Sequence, residues 1–370
     1  MANLKGIAIL AYLPALAILG STAPPLKAVY SRSQKSSSAI AKDAAKLLGL
    51  PSAPDAYFDG NDDNLDSLLQ RSDISAVIIA LPITLQPEFV LKCLSAGKHV
   101  LSEKPVAPDV ARGLSLLSSA DPLCQTKGLV WRVAENFEAE PAYRAAGEAI
   151  RSGKIGKVQF FKATVVNYVD KTSEWYKTPW RTVPDYQGGF LLDGGVHTIA
   201  ALRTMLTEPF TQLSGFASLN KDYLLPHDTI HCIVRAGSHY HGVVEMTFAS
   251  PTKSIPAAEN IVITGSDGWV ACNMSSEGFT VVIKSRVKED GKPEEEQEYK
   301  ETEETMTFPS KGVEVELAAF FAEIQKDGTG EQSLDIGNPR NALKDVGFIQ
   351  AALNSEGNLT DLVLHFVPPE

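Results

Sequence analysis

Residues 74–81 read ISAVIIAL, a nearly unbroken apolar and β-branched run. A strand carries such a run when both its faces are buried, as in a parallel sheet covered by helices. Apolar segments at 6–10, 26–33, 99–102 and 129–134 repeat the signal, and stretches with helical spacing separate them at 12–19, 36–49, 87–96 and 108–119. Strand alternating with helix predicts a doubly wound α/β domain over residues 1–134. After Glu135 the pattern changes. A helix is predicted over 141–152, followed by β-rich segments at 157–169, 211–219, 229–235, 240–248, 260–263, 269–273 and 279–287. Turns as short as Ala236-Gly237-Ser238 and Ser266-Asp267-Gly268 join neighbours, so the second sheet should be mostly antiparallel. The acidic run at 290–305 reads as a solvated hairpin or loop, and helices over 313–326 and 340–355 close the chain. Residues 135–370 are therefore expected to form an α+β domain.

Composition narrows the function classes. A length of 370 residues with 44% hydrophobic content supports two cores. The net charge of −11 argues against binding a nucleic-acid backbone. Cys93, Cys124, Cys232 and Cys272 form no CxxC pair, which fits a reducing compartment better than a disulfide framework or a zinc knuckle. No run is long enough for a transmembrane helix. The first residues, MANLKGIAILAYLPALAILGSTAPP, have two readings. One is a secretory signal peptide cut near 21–23. The other is a buried first strand running into an apolar helix. The α/β domain needs a first strand and 6–10 is the candidate for it, so a cytoplasmic protein is expected, with secretion as the alternative.

The candidate chemistry centres on GGFLLDGGVH at 188–197. In a helix starting near 192, Asp193 and His197 lie one turn apart on one face. A carboxylate that orients an imidazole makes a directed general base. Gly188, Gly189, Gly194 and Gly195 would let backbone and ligand approach closely. The same spacing also suits a capped helix with His197 packed or solvated. At the end of the second strand, Ser31, Arg32 and Ser33 offer two hydroxyls and a cation with no carboxylate. That set favours the 2′-phosphate of NADP over the ribose of NAD, against the alternative of an ordinary surface arginine. SEKP at 102–105 ends another strand and aims Lys104 at the crevice, unless Glu103 and Lys104 are a plain surface pair. Trp175, Tyr176 and Trp180 either line a carbohydrate pocket or anchor their loop. Counting by twos puts His227, His231, His239 and His241 on one sheet face, read as a solvated or interface face, and no metal site is assigned.

In order and spacing, IIALP, AGKHVLSEKP, AENFEAEP, RSGKIGKV and GGFLLDGGVH resemble the oxidoreductase family of glucose–fructose oxidoreductase, inositol dehydrogenase and MocA-type proteins, in its fungal NADP-linked variety. The resemblance implies a Rossmann-type domain followed by an α+β domain whose open sheet forms an oligomer interface. It implies hydride transfer between a nicotinamide and a hydroxyl-bearing carbon, commonly of a sugar or polyol. By position, Lys104 would contact substrate and cofactor, Asp193 would bind substrate or orient the base, and His197 would move the hydroxyl proton. Leu81 and Pro82 would pack on the nicotinamide half of the cofactor, with Glu103 and Asn136 lining that site. Gln86 stands where many relatives have histidine. The sequence departs from the pattern at the phosphate loop, since no glycine lies between Gly6 and Gly20. Roughly six to ten residues that carry the glycine-rich fingerprint are missing from the turn that receives a pyrophosphate. Two functions follow: an NADP-dependent oxidoreductase, or a non-catalytic relative (a scaffold or weak ligand binder) that lost its cofactor with that loop.

Overall fold

The computed structural model describes residues 7–9, 12–253, 261–288, 299–325 and 335–363. Two units divide the chain, Met1–Asn136 with Val313–Leu343, and Phe137–Gly312 with the segment that starts at Lys344. The first unit holds strands β1 (Ile7–Ile9), β2 (Leu26–Ser31), β3 (Asp55–Phe58), β4 (Ala76–Ile79), β5 (His99–Glu103) and β6 (Trp131–Ala134). They form one parallel sheet in the order β3-β2-β1-β4-β5-β6. Its helices are α1 (Leu13–Leu19), α2 (Gln34–Leu47), α3 (Leu65–Leu69), α4 (Gln86–Ser95) and α5 (Val110–Lys127). Every residue of β4 is buried, as its apolar run requires. The N-terminal apolar run supplies the central strand β1, paired with β2 and β4, and α1, whose Ala15 and Leu16 join the core with Leu26, Val29, Ile78 and Leu101. No described helix is long and apolar enough to cross a membrane.

The second unit holds β7 (Val158–Val166), β8 (Phe210–Ser218), β9 (Thr229–Ala236), β10 (Tyr240–Thr247), β11 (Ile261–Gly265), β12 (Gly268–Ser275), β13 (Gly278–Lys288), β14 (Tyr299–Phe308) and β15 (Thr360–Asp361). Their order is β14-β13-β12-β11-β7-β10-β9-β8-β15, antiparallel throughout except for the parallel pair β7–β10. The helices are α6 (Asn136–Ala139), α7 (Pro141–Arg151), α8 (Pro179–Thr182), α9 (Phe190–Met205) and, from Lys344 onward, α11 (Pro339–Asn354), while α10 (Gly312–Gln325) belongs to the first unit. The long helices α7 and α9 pack on each other and on the sheet. β9 shows the two-residue period of a half-buried strand, with Ile230, Cys232 and Val234 inward and His231, Ile233 and Arg235 outward.

Residues 299–305, part of the run read as a solvated hairpin or loop, form most of β14, which is exposed and pairs antiparallel along β13, so of the two alternatives the hairpin describes them. An edge strand exposed along most of its length needs no apolar run, and its charges are a common guard against edge-to-edge association. The rest of the acidic run, 290–298, lies outside the described residues. Next to the expected division at 134/135, the compact units are discontinuous in sequence, with Val313–Leu343 in the first unit. The reason is the apolar side of α10. Leu317, Phe320 and Phe321 are buried in the core of the parallel sheet, each contributing about 2 kcal/mol relative to exposure.

Candidate active site

The residues expected to hold a dinucleotide follow the carboxyl ends of parallel strands. β2 ends at Ser31, β4 leads to Leu81 and Pro82, β5 ends at Glu103 and leads to Lys104, and β6 leads to Asn136. Arg32 is exposed and makes no hydrogen bond or ion pair among the described residues. Ser33 has a structural duty: it is the N-cap of α2, and its hydroxyl oxygen accepts the Ser36 N–H at 3.3 Å. Glu103 Oε2 accepts the backbone N–H of Lys104 at 3.0 Å. Gln86, only 1% exposed, donates from Nε2 to the Pro105 carbonyl at 3.4 Å and so braces the turn that carries Lys104. Its Oε1 is buried and accepts nothing among the described residues. An orphaned buried acceptor costs about 1–3 kcal/mol, which a donor group on a bound ligand would offset.

The middle of the dinucleotide site differs. Tyr12 caps α1 with a left-handed φ of 78°, a region that costs a residue with a Cβ about 1–2 kcal/mol. Its phenol donates to Glu103. Burial, together with the carboxylates of Glu103, Glu316 and Glu135, holds that phenol well above the ordinary tyrosine range. The residues present thus fit the two ends of a dinucleotide, while a tyrosine stands where its pyrophosphate needs a glycine turn.

In the second unit the site is built on α9. Gly189 caps the helix at φ 53°, and a Cβ there would lie 2.4 Å from the Leu225 carbonyl oxygen, so only glycine fits. Asp193 lies in the first turn and His197 one turn later, on the same face. Asp193 is 5% exposed, and Arg181 Nε donates to its Oδ2 at 2.7 Å. The Arg181 guanidinium lies over the Trp180 ring at 4.1 Å and the Trp175 ring at 5.3 Å. Two of the aromatic residues expected in a pocket therefore flank the arginine that grips Asp193. Trp175 is 66% exposed. Tyr176 meets Tyr223 edge-on at 5.4 Å, a loop anchor. The partly exposed His197 imidazole stacks on Phe137, with ring centroids 4.7 Å apart and planes at 26°. Phe137 packs in turn on Tyr143 and Phe279. The pair is thus an imidazole stacked on an aromatic ring and a carboxylate hydrogen-bonded to a guanidinium, one helical turn apart.

Arg181, Phe137 and Gln86, which contact Asp193, His197 and the Pro105 carbonyl, were given no role by the sequence reading. Arg181 sits 12 residues before Asp193, a separation with no helical or strand periodicity to reveal the pair. Gly194 and Gly195, expected to admit a ligand, instead let α9 pack closely. A Cβ at Gly194 would lie 2.7 Å from the Phe248 ring, and one at Gly195 would lie 3.2 Å from Met246 Sδ. The four histidines do not share one sheet face. His231 and His241 point outward from β9 and β10, but His231 pairs with Glu245 and His241 with Arg235, at different levels of the hairpin. His239 lies in the turn and His227 precedes β9.

The family described as "Oxidoreductase family, NAD-binding Rossmann fold" matches residues 9–126, and the "GFO/IDH/MocA C-terminal domain" matches residues 143–271. The chain is 35% identical over 352 residues to Dehydrogenase FPY6 of Fusarium mangiferae, covering 93% of this chain and 92% of that one. It is 32% identical over 246 residues to a dTDP-3,4-didehydro-2,6-dideoxy-alpha-D-glucose 3-reductase of Streptomyces violaceoruber, covering 64% and 60% of the two chains. An oxidoreductase of Thermotoga maritima shares its architecture at a TM-score of 0.76 and 28% identity, over 97% of this chain and 98% of that one. With a parallel dinucleotide-type sheet in one unit, a large mostly antiparallel sheet in the other and both halves matched in sequence, the chain belongs to the Gfo/Idh/MocA oxidoreductase family.

Proposed function

We propose that this protein is an NADP-dependent oxidoreductase that transfers a hydride between the nicotinamide and a small hydroxylated or carbonyl substrate of the sugar or polyol class. The observation that carries the reading is the turn of α9, where Asp193 is tied to Arg181 and His197 is stacked on Phe137. NADP is favoured over NAD by Arg32, unpaired at the end of β2, with Ser31 beside it and no carboxylate in the tripeptide. Ser33 supports that turn as the α2 cap. Leu81, Pro82, Glu103, Lys104 and Asn136 are assigned to the nicotinamide half. When bound, the cofactor supplies the carbon that gives or accepts the hydride. His197 takes the hydroxyl proton in oxidation and returns it in reduction, Asp193 binds the substrate or orients the imidazole, and Lys104 holds the substrate oxygen. Trp175, Tyr176 and Trp180 are assigned to the substrate side. The relative named as a dehydrogenase supports the reaction class, and the one named as a deoxysugar 3-reductase supports the substrate class. We place the protein in the cytoplasm, with four free cysteines, as a homo-oligomer formed through its large sheet.

The test is a titration with NADPH and with NADH, followed by nucleotide fluorescence, then a turnover screen with sugars and carbonyl compounds. NADPH should bind more tightly than NADH. Turnover should fall by about a hundredfold or more in Lys104→Ala and in His197→Ala, and activity that survives both substitutions would overturn the roles given. A second reading, a non-catalytic scaffold or weak ligand binder, is favoured by one observation, the tyrosine in place of the glycine turn.

A further inference from the structure

The parallel sheet of the first unit reverses its strand order between β1 and β4. Ligands of such sheets lie outside the carboxyl ends of the strands at that point. Tyr12 stands there, just beyond the end of β1 at Ile9, and its partner Glu103 is the last residue of β5. β4 lies between those strands, so the two strand axes are roughly 10 Å apart. The Tyr12–Glu103 hydrogen bond therefore spans the carboxyl end of β4, the strand that leads to Leu81 and Pro82. Both ends of this bridge are held. Tyr12 packs against the apolar core that includes Leu16 and Leu101, and Glu103 is fixed by its second oxygen on the Lys104 N–H at 3.0 Å. The surroundings also have the wrong charge for a pyrophosphate. Glu135 and Glu316, 1% and 2% exposed, add their carboxylates to that of Glu103 in the field at the phenol.

We propose that Tyr12 is a built-in plug of the dinucleotide crevice. Latched to Glu103, it closes the crevice where the pyrophosphate would pass, and a dinucleotide binds only when the latch opens. This rests on the crevice being a dinucleotide site, as argued above. The apparent affinity is then the intrinsic affinity multiplied by the open fraction, so variants that release the latch bind more tightly. Tyr12→Phe keeps the ring and removes the donor. Tyr12→Gly removes the ring and suits the left-handed backbone.

The experiment titrates the full chain and both variants with NADPH and with NADH, after circular dichroism has established that each is folded. NADPH should bind Tyr12→Gly about tenfold or more tightly than the unaltered protein, with Tyr12→Phe in between. Equal and measurable binding by all three would overturn the plug and leave the cofactor reading intact. No binding of either nucleotide by any of them would overturn both. If Tyr12→Gly does not fold, Tyr12→Phe decides, and an affinity within twofold of the unaltered protein overturns the plug.

Discussion

The contact between Arg181 and Asp193 shows how one residue pair sets a site. Both side chains are largely buried, 15% and 8% exposed, and the guanidinium is further enclosed by Trp180 and Trp175. Arg181→Ala would leave a buried carboxylate without this cation, a loss on the order of 3 kcal/mol. It would also remove the bond that orients Oδ2 of the carboxylate. We expect the midpoint of thermal unfolding to fall and turnover to fall further than the change in KM accounts for. Arg181→Lys should recover stability more than turnover, because an ammonium restores the charge without the planar fork. Equal recovery of both would point to a purely structural residue. The Asp193–His197 pair was legible in the sequence because a helix puts every fourth residue on one face. Arg181, Phe137 and the bond from Tyr12 to Glu103, 91 residues apart, were not. Such contacts are created when loops and strands close on one another, and no local period encodes them.

At the scale of elements, legibility follows burial. β4 declares itself because both its faces are buried, and α9 because its cap and spacing agree. β3, with no fully buried residue, and the exposed β14 lack any apolar signature, since edge strands are selected for pairing at one side only. The return of α10 to the first core was hidden for a different reason. Its apolar residues announce burial but not against which sheet. Helix junctions in the second unit depend on ions as well. Arg203 of α9 donates to Glu138 of α6 at 3.0 Å and to Asp345 of α11 at 2.9 Å, with the acids 6% and 2% exposed. Three buried charges persist because each has an opposite partner, and removal of one leaves the arginine undercompensated. Asp345→Ala should therefore destabilise the protein by about 3–5 kcal/mol, read as a lower denaturant midpoint with an unchanged slope. Asp345→Asn, which keeps the shape and some hydrogen bonding, should fall between. A change under about 0.5 kcal/mol, the level of an ordinary surface substitution, would mean that Glu138 alone satisfies the arginine.

At the scale of the molecule, the proposed homo-oligomer has a candidate interface in the outer face of the large sheet. Phe160 on β7, Phe216 on β8, Ile233 on β9 and Val243 on β10 are 50%, 68%, 63% and 37% exposed, on four adjacent strands. Their register puts Val243 opposite Ile233, His241 beside Phe160 and His231 opposite Phe216, which makes one continuous patch. Contiguous apolar area of this kind marks an interface rather than ordinary surface. Charges of both signs lie within it, Lys162 and Arg235 against Glu245, and a face with both signs can be self-complementary about a two-fold axis. A second copy of the chain is the partner that this symmetry fits. Light scattering at micromolar concentration should therefore give at least twice the chain mass of 39.9 kDa. The double substitution Phe216→Glu with Ile233→Glu places like charges on both sides of the contact and should yield a monomer with an unchanged far-ultraviolet dichroism spectrum. Both side chains already face solvent in the single chain, so the protomer loses little by the change, and the cost falls on association alone. A wild-type protein that runs at 39.9 kDa, or a double variant that stays assembled, would exclude this face as the interface.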